Sequence, residues 1–230
     1  MDIKTVDEII TMLKEYRDSG SRMDSERLLK SPLGQPRKQR LVLAVGHSRA
    51  NDKGAVGFDG TTDEWTYNRS LAHFIELYLD DSIDVTIIDT YKGSSYTEAM
   101  ANLKLTVDPL KADLVVELHF NAFSNPNANG YEALFWHSSK NGKHAADTFI
   151  NTFSSLFPDN TNRGAKAIQD LSERGARFLK TLNAPCIILE PFFGTNPKEW
   201  KQFGTETYGK QQLGKAIAIS INKCFLDWAK

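Results

Sequence analysis

From Leu41 onward, runs of uninterrupted apolar residues alternate with segments of helical period, and three of these runs end on a histidine or a glutamate. Leu41-Val42-Leu43-Ala44-Val45 leads into His47, Leu114-Val115-Val116 leads into His119, and Cys186-Ile187-Ile188-Leu189 leads into Glu190. Short continuous apolar runs suit strands buried on both faces. Their alternation with helices predicts an α/β fold, a mostly parallel twisted sheet with helices on both faces. Strands are expected near 41–45, 84–89, 113–118, 131–136 and 186–190, and helices near 64–80, 97–106, 142–157 and 208–228. In the last helix Leu213, Ile217, Ile221, Cys224 and Trp228 share one face, the period of a core-facing helix.

In open α/β sheets the carboxyl ends of the strands form the ligand crevice. His47, His119 and Glu190 are therefore candidates for one shared rim. Glu64, expected to open the first helix of this region, is a fourth, with Asn68 one turn later on the same face. Each has an ordinary explanation by itself: a structural histidine, or an acid complementing a helix N-terminus. The joint placement favours a site. Two histidines and one carboxylate make a catalytic zinc set that leaves a position for water. Gly54, Gly57 and Gly60 follow His47 in a loop that lets backbone approach a ligand. Glu117, two residues before His119, is a candidate partner for that histidine or an ordinary core or surface pair. His73 is expected on the exposed side of its helix, and His137 and His144 are weak candidates.

The first 40 residues differ from the rest. Thr5-Val6-Asp7-Glu8 has the form of a capping box, and Ile9, Ile10, Leu13 and Tyr16 follow at helical spacing. A second short helix is expected at 25–30, and Pro32, Gly34 and Pro36 mark a linker. The expected organisation is a helical extension over 1–40, docked on a catalytic domain over 41–230.

The 230 residues carry a formal net charge of -1, which argues against nucleic acid as the main partner, since phosphate binding needs a clustered basic surface. The densest basic run, Arg37-Lys38-Gln39-Arg40, reads as a solvated linker end. The two cysteines, Cys186 and Cys224, fall on apolar positions and read as reduced packing residues. No stretch approaches ~18 apolar residues, so no integral membrane segment is expected. The start has no apolar signal core, which predicts cytoplasmic synthesis without a signal peptide. The oligomeric state is left open.

Several stretches resemble the zinc-dependent N-acetylmuramoyl-L-alanine amidases of the Amidase_3 type over roughly residues 41–228. They are Leu43-Ala44-Val45-Gly46-His47-Ser48, Gly54-Ala55-Val56-Gly57, Glu64 with Asn68, Leu71 and Ala72, and Ala112 through Ala122 around His119. Gly130-Tyr131-Glu132-Ala133-Leu134, Asn162-Arg163-Gly164-Ala165 and Ala184 through Phe193 complete the match. The Gly-His-Ser and Glu-Leu-His-Phe-Asn-Ala forms look most like bacteriophage endolysins of this type. The resemblance implies a Zn2+ ion on His47, Glu64 and His119, Glu190 as the catalytic carboxylate, and Asn121 and Arg163 on the substrate side. It also implies peptidoglycan as substrate, cut between N-acetylmuramic acid and L-alanine. For a lysin it implies action on the wall after release through a holin-type pore. The alternatives are another zinc amidohydrolase or carboxypeptidase on the same fold, a bacterial wall-remodelling amidase, and an inactive wall-binding module.

Overall fold

The computed structural model describes residues 37–48, 52–204 and 208–229. The helices expected at 5–16 and 25–30 lie outside the described residues. The six strands are β1 (Gln39–Val45), β2 (Ile83–Ile88), β3 (Leu114–Leu118), β4 (Tyr131–Trp136), β5 (Asn162–Ile168) and β6 (Cys186–Glu190). They form one sheet in the order β2-β1-β3-β6-β4-β5. Every neighbouring pair is parallel except β4 with β6.

The main helices are α1 (Glu64–Glu76), α2 (Tyr96–Val107), α3 (Lys140–Leu156), α4 (Ala176–Thr181) and, near the end of the chain, α6 (Tyr208–Trp228). A short turn, α5 (Pro197–Glu199), continues as a π-helical segment over Trp200–Gly204. The helix starts follow their capping chemistry. The side chains of Asp63, Ser95 and Ser139 accept bonds from the backbone of Thr66, Glu98 and Gly142, opening α1, α2 and α3. Each satisfies an amide that has no partner within its own helix. α1 ends earlier than its period suggests, because the amides of Tyr78 and Leu79 bond three residues back, to Ile75 and Glu76. The last turn thereby tightens out of the α-helical pattern.

The two-residue period of the strands sorts the core into two layers. Leu41, Leu43 and Val45 of β1 join Leu114, Val116 and Leu118 of β3 on the face covered by α1, α3 and α6. Val42 and Ala44 join Val115 and Ile188 on the opposite face, under α2 and α4. Leu213, Ile217, Ile221 and Cys224 of α6 are buried in the first layer, with Trp228 packed beside them. α6 packs against both α1 and α3. Cys186 and Cys224 are free and buried. Arg37 and Lys38 pair with Asp113 and Asp84, so two of the three cations in the basic run are matched by acids at the sheet edge.

β5 and α4 are additions to the expected elements. β5 is an edge strand of mixed exposure whose sequence, NRGAKAI, has a single buried residue, Ile168, so neither an apolar run nor an alternation marks it. Among the described residues no helix is long and apolar enough to cross a membrane.

Candidate active site

The strand order places the site. β1 leads through α1 to β2 on one side and β3 lies on the other, so the chain reverses direction across the sheet between β1 and β3. Ligand crevices open at such switch points, outside the strands' carboxyl ends. β1, β3 and β6 are consecutive parallel neighbours, and His47, His119 and Glu190 sit at their carboxyl ends. Glu64 enters from the first turn of α1, which starts beside the same edge. The rim expected from the strand-like runs is the one observed.

His47, Glu64 and His119 form a compact group in which one potential ligand atom from each lies within 4.8 Å of the others. Glu64 is the centre. One carboxylate oxygen is 2.9 Å from His119 Nδ1 and accepts the Phe120 amide at 3.2 Å. The other is 3.3 Å from His47 Nε2 and accepts the Ala55 amide at 3.1 Å. Burial opposes the charge on Glu64, but the bonds to His119 and His47 outweigh it and hold the carboxyl well below the usual range. The anion is therefore fixed between two imidazoles.

Each imidazole is braced at its far nitrogen. His47 Nδ1 lies 2.9 Å from Asp52 Oδ1, and His119 Nε2 lies 3.3 Å from Glu117 Oε2. Such outer carboxylates orient a metal-binding histidine and fix its tautomer. Glu117, two residues before His119, is the candidate partner that the sequence offers for it. Asp52 carries no such signal, because an aspartate in a glycine-rich loop looks like any solvated turn residue. The rings meet edge to face with centroids 5.0 Å apart. His47 has a φ of 58°, a left-handed backbone that costs a non-glycine residue about 1–3 kcal/mol and clusters at functional sites. Gly46 is required beside it, since a Cβ there would lie 2.3 Å from the His119 ring.

The donor set fits zinc. Tetrahedral zinc with bonds of about 2.0–2.2 Å separates its ligand atoms by roughly 3.3 Å, close to the spacings found here. Both near nitrogens face the carboxylate, and both far nitrogens are tied back by acids.

Glu190 is buried, and one of its oxygens has no hydrogen-bond partner. Burial raises its pKa to about 7, against the pull of His119 and Arg174. Directly opposite it across the β4–β6 pair is Glu132, itself buried. Glu132 is the hub of a cluster: Arg163, Lys166 and Arg174 approach it at 2.7, 2.5 and 2.7 Å, and Asn121 donates to it at 3.0 Å. Burial would raise the Glu132 pKa, but Lys166, Arg163 and Asn121 lower it to about 2. Asn121 and Arg163 are thus brought to the site, beside Glu190. The Asn121 side chain is engaged at both ends, by Glu132 and by Arg174. Arg163 also lies over the Phe193 ring. Lys166 and Arg174 carry no signal in the sequence, since basic residues on an edge strand and in a loop are ordinary surface features.

The other histidines fall away from this centre. His73 is exposed and pairs with Glu76, and His144 lies near Asp227. His137 is exposed beside Trp136. Asn68 is fully buried on α1, and its amide bonds to no described residue. An open cavity of about 450 Å³ lined by Trp136, Leu179 and Cys186 lies at the amino end of β6 and contains none of the site residues.

Comparison with known proteins gives the family and the fold. Residues 41–223 match the model of the N-acetylmuramoyl-L-alanine amidase family. Among solved structures, an N-acetylmuramoyl-L-alanine amidase from Clostridium difficile 630 is 24% identical with a TM-score of 0.68, over 83% of this chain and 98% of that one. The CwlD amidase of Clostridioides difficile, solved in complex with the GerS lipoprotein, is 23% identical with a TM-score of 0.71, over 83% and 100% of the two chains. The catalytic domain of the CD27L endolysin targeting Clostridia difficile is 24% identical with a TM-score of 0.64, over 80% and 97%. These likenesses establish the fold. No curated protein sequence matches significantly. The family match spans most of the chain, and the protein belongs to the N-acetylmuramoyl-L-alanine amidase family of peptidoglycan-degrading enzymes.

Proposed function

We propose that this member of the family is a zinc-dependent hydrolase that cuts the amide between the lactyl group of N-acetylmuramic acid and L-alanine in peptidoglycan. The single observation that carries the zinc assignment is the group of His47, Glu64 and His119, with each imidazole braced from behind by a carboxylate. His47 Nε2, His119 Nδ1 and the Glu64 carboxylate would hold the ion. What zinc supplies there, with two neutral imidazoles and one anion leaving a local charge of about +1, is polarisation of a water and of the amide carbonyl.

The chain's own residues carry the rest. Glu190 accepts the proton of the attacking water as the C–O bond forms. It then passes that proton to the nitrogen as the C–N bond breaks, so L-alanine leaves as an amine and the lactyl group as a carboxylate. Its burial beside the ligand group keeps it close to neutral-pH titration, the condition a proton carrier needs. Arg163 and Asn121 lie on the peptide side, Arg163 offering its free guanidinium donors to a stem carboxylate and Asn121 holding the cluster in place.

The endolysin likeness supports a phage lysin, released to the cell wall through a holin-type pore. A bacterial wall-remodelling amidase is the second reading, favoured by the matches to bacterial amidases. Digestion of purified murein with mass-spectrometric identification of products tests the reaction. The expected products are intact sugar strands and peptides with a free L-alanine amine, formed without chelator and lost with it. Peptides trimmed only at their carboxyl ends would instead indicate a carboxypeptidase.

A further inference from the structure

We infer that Arg174 is a positioning residue: it anchors one oxygen of Glu190 and leaves the other as the oxygen that handles the proton. The inference rests on the reading of Glu190 as proton carrier. Arg174 Nη1 lies 3.1 Å from Glu190 Oε1 and 3.0 Å from Asn121 Oδ1, while Nη2 lies 2.7 Å from Glu132 Oε1. Glu190 Oε2 is fully buried and has no hydrogen-bond partner among the described residues. One carboxylate oxygen is thus tied and the other is free.

Charge balance explains why this is more than neutralisation. Glu132 and Glu190 face each other across β4 and β6, and like charges so placed repel. Glu132, however, already has Arg163 and Lys166 on its other oxygen, at 2.7 and 2.5 Å. It does not depend on Arg174 for a counter-charge. Glu190 has no other ion-pair partner among the described residues. A planar guanidinium can span both acids and Asn121 at fixed angles, which an ammonium cannot.

The loop that carries Arg174 is built to hold it there. The amides of Gln169 and Asp170 bond to the Glu173 carboxylate at 2.7 and 2.8 Å, and the Ser172 amide bonds to Asp170 at 2.8 Å. Gly175, at a φ of 75°, follows directly, and a Cβ there would lie 2.3 Å from Ile188 Cδ1. Ile188 is two residues before Glu190 on β6. The loop therefore seats on the strand that carries the acid.

The test uses the zinc-loaded full chain and a small soluble muropeptide. Arg174→Ala is expected to keep its zinc and its melting temperature, to leave KM within about twofold, and to lower kcat by ~10²-fold, the loss typical of a misplaced reacting group. Added methylguanidinium is expected to restore part of kcat, because the Arg174 side chain is 56% exposed and its place is open to solute. Arg174→Lys, the gentler change, is expected to fall between. In a Glu190→Gln background Arg174→Ala should add no further loss. A wild-type kcat for Arg174→Ala, or a rise in KM with kcat unchanged, overturns the inference. Should Arg174→Ala fail to fold, a wild-type kcat for Arg174→Lys without the guanidinium span overturns it equally. Full turnover by Glu190→Gln would instead refute the proton-carrier reading itself, a distinct outcome.

Discussion

Glu64 is held by four contacts at once, two from imidazoles and two from backbone amides, and so presents an anion whose orientation does not depend on the metal. His47→Ala or His119→Ala should abolish stoichiometric zinc binding and activity while the secondary structure persists; a variant that keeps full zinc and full rate would show that another residue is the ligand. The outer carboxylates should matter less. Asp52→Ala and Glu117→Gln are expected to weaken zinc binding by ~10–100-fold, read by competition with a chelator, and unchanged affinity would deny them that role. If Glu190 is the proton carrier, it sets the pH response. Glu190 must be ionised to accept a proton, so activity is present above its pKa and lost as pH falls through it. Burial raises that pKa to about 7 and a bound cation lowers it, which puts the acid limb of kcat/KM at or below about 7. A rate flat down to roughly pH 4, the ordinary glutamate range, would put the proton on another group.

At the scale of elements, the site exists because β1, β3 and β6 are parallel neighbours and α1 begins at the same edge. Gly46 is the tightest point of that junction. Gly46→Ala should push the His119 ring aside and weaken zinc binding at least roughly tenfold, within the range for disturbed ligand support; a variant with native affinity would mean the ring can move freely. Much of this arrangement was legible in the sequence. Strands buried on both faces leave continuous apolar runs, so β1, β3 and β6 announced themselves together with the residues at their ends. β5 stayed hidden because an edge strand with one buried residue needs no apolar pattern. The antiparallel pairing of β4 with β6, which sets Glu132 opposite Glu190, is a long-range fact without a local signature. Asp52 and Arg174 were missed for a related reason: both act from loops, where charged residues are expected anyway.

At the scale of the whole molecule, the family match and the described fold begin at nearly the same place, at residues 41 and 37. We propose that residues 1–40 serve stability or approach to the wall rather than chemistry. A chain beginning at Arg37, which keeps the pair to Asp113, should bind zinc and cut a small muropeptide at a rate near that of the full chain. A folded, zinc-loaded short chain without turnover would show that the extension completes the site. If one zinc ion on His47, Glu64 and His119 enables the hydrolysis, activity should follow zinc in a stoichiometric reconstitution. Chelated protein should be inactive, and muropeptide hydrolysis should rise linearly with added zinc to a break at one ion per chain, with no such rise in His119→Ala. Full hydrolysis by the chelated protein, or the same one-ion break in His119→Ala, would contradict it.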